Sequence, residues 1–144
     1  LQTLSANSIN NVTVLTGDIH SSWGNEITTN PFVPSGYVPQ AVEFVTTAVT
    51  SPAFEDVAVA TATAAGLQAI SPHIKYLDLN RRGYMLLDID RNRTQAEWFY
   101  VQTITERRAA EDFGRALIVA SGSNRLTAQA TATTPRTNVA PLVP

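Results

Sequence analysis

Asp18 and His20 are the side chains whose types and spacing suggest chemistry. They stand two residues apart in Gly17-Asp18-Ile19-His20, directly after the apolar run Val12-Thr13-Val14-Leu15. A carboxylate is a hard oxygen donor and a neutral imidazole a borderline nitrogen donor, so together they can hold one metal ion or serve two neighbouring ions. Gly17 lets the chain turn sharply and leaves room for close approach. Two further residues belong to the candidate set. Trp23, three positions past His20, would wall a substrate site or cover metals. His73, beside Pro72 and ahead of a strand, would stand behind the metal ligands or face substrate. Against this stands a plainer reading: Asp18 caps a turn, His20 and Trp23 pack, and His73 fixes the loop before its strand.

The elements that must position these residues follow from patterning. Leu1 to Ala6 reads as the end of a helix, and Val12 to Leu15 as a buried strand that opens at its C-terminal end onto Asp18. From Ser21 to Gln40 the density of Pro, Gly and Asn predicts a long loop of the kind that walls a site. Ala41 to Val49 is the next strand, stopped by Pro52. The Ala-rich stretch Phe54 to Ala69 predicts a weak helix interrupted at Gly66. Ile74 to Leu79 and Tyr84 to Ile89 read as two strands joined by the Asn80-Arg81-Arg82-Gly83 turn, and Gln95 to Ile104 continues them as a β-meander. A charged loop or short helix at Glu106 to Glu111 precedes a last apolar strand, Arg115 to Ala120. The Ala/Thr/Pro-rich remainder is read as an extended tail, which divides the chain into 1–126 and 127–144.

The 144 residues suit one domain or part of one, with 44% apolar and 15% charged residues in the globular range. A net charge of −2 provides no basic field for a nucleic-acid backbone, so nucleic acid is not expected as a standing partner. No cysteine is present, which excludes disulfides and thiolate metal sites, and His20 and His73 are the only two histidines. The chain therefore cannot build a histidine-rich site alone, although it can contribute to one. No apolar run is long enough for a membrane helix. The opening Leu1-Gln2-Thr3-Leu4, without Met, reads as the tail of a helix, and a fragment or a nicked chain is expected.

The stretch Asn11 to Trp23 closely resembles the last metal-binding block of the PhoD-type alkaline phosphatases, within the calcineurin-like metallophosphoesterases. Val42 to Pro52, Pro72-His73-Ile74-Lys75-Tyr76 and Arg82-Gly83-Tyr84 resemble further blocks of that family in the same order. The wider superfamily has Gly-His-x-His at this strand end; the PhoD branch has Asp where Asp18 stands. The resemblance implies an α/β fold, namely the C-terminal part of a four-layer αββα sandwich that is β-rich in this chain. It also implies two metal ions, iron and calcium, with His20 on the iron side and Asp18 on the calcium side. The expected activity is hydrolysis of phosphate esters, with phospholipase D-type phosphodiesterase action as a variant. The expected partner is the upstream portion of the same enzyme, and the expected location is secreted or periplasmic. The branch also uses an iron-bound cysteine, which this chain lacks, so that ligand and the other upstream ones would lie elsewhere.

Other polar clusters read as structural. Arg81 and Arg82 have guanidinium geometry suited to phosphate but sit on a predicted solvated turn. Glu55-Asp56 and Asp88/Asp90 have no fixed separation that would support a glycosidase. Ser21 and Ser22 lack an orienting acid and an oxyanion hole. The competing class is a non-catalytic β-rich binding or interaction module, in which Asp18 and His20 are ordinary loop residues.

Overall fold

The computed structural model describes residues 1–33, 35–108, 110–129 and 131–134. Two four-stranded sheets lie face to face, with one long helix on the outside of the first. After the short helix α1 (Gln2–Ala6), the first sheet is assembled from β1 (Thr13–Thr16), β2 (Ser22–Ile27), β3 (Ala41–Val45) and β4 (Ile74–Asp78) in the order β1-β3-β2-β4. β1 runs parallel to β3, whereas β2 is antiparallel to both β3 and β4. The second sheet is an antiparallel meander of β5 (Gly83–Ile89), β6 (Arg93–Val101), β7 (Glu111–Ala120) and β8 (Leu126–Gln129). α2 (Val57–Ile70) connects β3 to β4.

Period-two alternation builds the space between the sheets. Ala96, Trp98 and Tyr100 of β6 meet Val42 and Phe44 of β3 and Leu117 and Val119 of β7. Trp98 is 0% exposed, donates its indole N–H to the Val45 carbonyl at 2.9 Å, and lies edge-on to Phe44. The tryptophan thus ties the two sheets together through packing and one satisfied hydrogen bond. Outside the first sheet, Ala60, Ala64 and Leu67 of α2 pack on Ile74, Leu77, Leu79 and Trp23. Asp56 starts that helix, its carboxylate accepting from the Val59 N–H at 3.0 Å. Helix, sheet and sheet are three layers; among the described residues no helix covers the far face of the second sheet. The α/β, strand-rich class expected from the sequence is what the chain adopts.

Several local expectations are corrected. The predicted loop Ser21–Gln40 begins with a strand: in β2, buried Ser22, Gly24 and Glu26 alternate with half-buried Trp23, Asn25 and Ile27. Gly24 looks like a breaker, yet a Cβ there would fall 2.3 Å from Leu117 Cδ1, so glycine is what lets the sheets approach. β1 forms where expected but is not buried: Val14, Leu15 and Thr16 are exposed, because β1 is an edge strand paired only with β3. Gly66 does not interrupt α2, which continues to Ile70 on the strength of its packing against β4. β4 and β5 are not a hairpin. The chain crosses between sheets at Asn80–Gly83, and the meander starts only at β5. Arg115–Ala120 is not the last strand, since β8 pairs with β7 and crosses the predicted 126/127 boundary. Of the predicted tail, residues 130 and 135–144 lie outside the described residues.

Candidate metal-binding strand end

Strand register brings one end of the first sheet to a common edge. Thr16 ends β1 opposite Val45, Trp23 lies opposite Val45 on its other side, and Ser22 lies opposite Asp78. The turn from β1 into β2 therefore projects Asp18 and His20 beyond the C-terminal ends of β1, β3 and β4. That turn is strained. Asp18 has φ 74° and His20 φ 57°, both in the left-handed region, at a cost of about 1–3 kcal/mol each. Asp tolerates this region better than most residues, His less so.

The two side chains are held differently. Asp18 is exposed and, among the described residues, has no hydrogen bond or ion pair. His20 is half-buried, with Nδ1 2.8 Å from the Pro52 carbonyl oxygen. A carbonyl only accepts, so in the neutral ring the proton resides on Nδ1 and the Nε2 lone pair is free. A backbone carbonyl behind one ring nitrogen is the usual arrangement for an imidazole that ligates through the other.

Trp23 joins this region. Its indole N–H donates to Ser21 Oγ at 2.7 Å, and it lines, with His20, Pro52, Phe54, Leu67 and Leu79, an open groove of about 590 Å3. His73 does not. Its carbonyl accepts from the Glu26 N–H, and its Nδ1 sits 3.0 Å from the Pro31 carbonyl. His73 is thus at the far end of β2, about 15 Å of strand away, where it anchors the loop after β2.

Beneath the strand end lies a polar cluster that sequence reading missed. The Tyr76 and Tyr100 hydroxyls share a 2.5 Å hydrogen bond, and the Arg81 guanidinium lies 3.9 Å above the Tyr100 ring while Nε bonds Asp78 at 2.7 Å. Arg81 stands on an exposed turn, as expected, and is committed there to Asp78 and the Tyr100 ring. Burial pushes the Tyr76 hydroxyl up to about 12, and burial pushes Tyr100 up as well. Both remain neutral donors and acceptors at any ordinary pH. The carbonyl of Pro52, which orients His20, leaves no trace in residue identity, and no signal in the sequence would have found it.

The donor set fits part of a metal site. Among the described residues no group of three or more His, Cys, Asp and Glu side chains converges, so Asp18 and His20 are two donors lacking the others a stable centre needs.

Comparison with known proteins gives this geometry its context. No curated protein matches the chain. A solved structure of PhoD is similar with a TM-score of 0.76 and 25% identity, over 96% of this chain and 26% of that one. The chain thus spans about a quarter of that protein's length. Residues 1–98, which include Asp18, His20, Trp23 and His73, match the family model for PhoD-like phosphatase. The chain belongs to the PhoD-like phosphatase family.

Proposed function

We propose that this chain supplies Asp18 and His20 as metal ligands to a phosphate-ester hydrolase whose remaining ligands come from the upstream portion of the same protein. The observation that carries this reading is the pairing of an unpartnered Asp18 carboxylate with a His20 ring whose Nδ1 is engaged by Pro52, leaving Nε2 available. Iron and calcium are the metals in view, with His20 toward iron and Asp18 toward calcium. When bound, the metals would polarise the phosphoryl oxygens and acidify an attacking water. In the hydrolysis a P–O ester bond breaks, a bond from water oxygen to phosphorus forms, and the alcohol leaves with a proton.

The chain's own residues hold rather than transfer. His20 presents Nε2 and keeps its proton on Nδ1, away from the reacting centre. Asp18 offers an acceptor-only carboxylate. Trp23 walls the groove beside His20 and limits water there. Both phosphomonoesters and phosphodiesters, phospholipid diesters among them, are substrates in view, and export to the periplasm or medium is the matching location. No helix among the described residues is long and apolar enough to cross a membrane.

The test is elemental analysis and aryl-phosphate hydrolysis of the longer protein carrying Asp18→Ala or His20→Ala. Loss of bound metal together with a rate drop of about 100-fold or more is expected. Unchanged metal and rate in both variants would remove the ligand assignment and leave a β-rich binding module.

A further inference from the structure

His20 is oriented by a segment with no ionisable group of its own, the stretch from Thr46 to Phe54 between β3 and α2. That stretch is stitched to the corner between β4 and β5. Thr47 Oγ1 donates to the Arg81 carbonyl at 3.0 Å, the Gly83 N–H to the Ala48 carbonyl at 3.0 Å, and Arg82 Nε to the Ser51 carbonyl at 3.4 Å. On the other side of Pro52, the Phe54 N–H donates to the Leu79 carbonyl at 3.2 Å and Asn80 Nδ2 donates to the Phe54 carbonyl at 2.6 Å. The corner is itself held by Asp78, whose Oδ1 accepts from the N–H groups of Asn80 at 3.1 Å and Arg81 at 2.9 Å. Asn80 thus closes a continuous path from Asp78 through Phe54 to Pro52 and on to His20 Nδ1.

We propose that Asn80 is a positioning residue for His20: its carboxamide fixes the Pro52–Phe54 segment so that the Pro52 carbonyl holds the imidazole proton on Nδ1 and leaves Nε2 free. The value of that tautomer to the enzyme rests on the ligand role proposed for His20, but the tautomer itself does not. Without the Asn80 donor, the bonds at Thr47, Ala48 and Ser51 remain but the Phe54 side of Pro52 is held by one backbone bond, so the aim of the Pro52 carbonyl loosens and Nδ1–H loses part of its advantage over Nε2–H.

The experiment is long-range 1H–15N correlation spectroscopy at neutral pH on the chain and on Asn80→Asp, which keeps the size but removes the donor, and Asn80→Ala. With only two histidines present, His73, whose Nδ1 faces the Pro31 carbonyl, is an internal control remote from the corner. The expected result is a fall of about threefold or more in the Nδ1–H to Nε2–H ratio at His20, with His73 unchanged. An unchanged His20 ratio in either folded variant would overturn the proposal and assign the orientation to the His20 backbone. Loss of the native His73 signal in both variants would overturn it too, by making Asn80 a folding residue. Metal content of the longer protein reads the ligand role separately. A tautomer that follows Asn80 with metal content indifferent to His20 keeps the positioning and discards the ligand.

Discussion

Glu26 near one end of β2 and Asp18 in the turn that leads into its other end are carboxylates held in opposite ways. At the far end Glu26 is 1% exposed, yet it accepts from the Tyr37 hydroxyl at 2.6 Å and from the Leu126 N–H at 2.8 Å, with Lys75 and Arg125 both 3.6 Å away. It joins the β2–β3 loop, β4 and the second sheet in one knot. At the near end Asp18 is exposed, sits on left-handed backbone and has no partner among the described residues. A buried carboxylate must be saturated or it destabilises the fold, whereas an exposed one held in a strained turn contributes nothing to stability that would explain the strain. The same residue class therefore does structural work at one end and, on the function proposed above, serves as a metal ligand at the other.

The largest expected effect breaks the saturated end. Glu26→Ala leaves the Leu126 N–H without its acceptor, the Tyr37 hydroxyl with only the Pro72 carbonyl at 3.1 Å, and two cations without their counter-charge, and should cost about 3 kcal/mol by urea denaturation. A loss below about 1 kcal/mol would mean that water replaces the carboxylate and that the knot is incidental.

A smaller effect lies in the interior beneath the site end. Tyr76 is raised from 10.0 to about 12 by burial, so its neutral form is the one the fold favours. This contribution is fully present below pH 10 and disappears as the pH rises through about 12. Tyr76 should contribute a fall of about 1–3 kcal/mol across that window beside those of Tyr100 and Tyr84, which are also raised, and Tyr76→Phe should make the fall shallower. An equal slope in the variant would show that Tyr76 is not the group responsible.

The smallest effect is expected at Asp18. Asp18→Asn should change stability by less than about 0.5 kcal/mol in the chain alone, because no partner is lost. A larger loss would reveal a structural role and weaken the contrast with Glu26.

How much of this was legible from the residues depends on the range of the interaction. The Ala-rich stretch of α2 and the β-branched run of β1 are local and were readable, as was the placement of Asp18 and His20 just beyond a strand end, although the Asp56 cap that starts α2 two residues after the expected Phe54 was not. β2 was not, because Gly24 scores as a breaker until Leu117, 93 residues later, is seen to need the space. Burial of Glu26 was equally hidden, since its partners Tyr37, Lys75, Arg125 and Leu126 are scattered through the chain.

The amino-acid order by itself determined the helix and most strands, the spacing of the Asp18 and His20 donors, and the family pattern that contains them. These are set by short-range periodicity, turn chemistry and neighbouring residues. Tertiary structure alone decided that β4 and β5 belong to different sheets, that His73 lies at the opposite end of β2 from His20, and that the Pro52 carbonyl chooses the tautomer of His20. Strand pairing and the aim of a backbone carbonyl depend on segments brought together across the fold, and residue identity carries no local record of either.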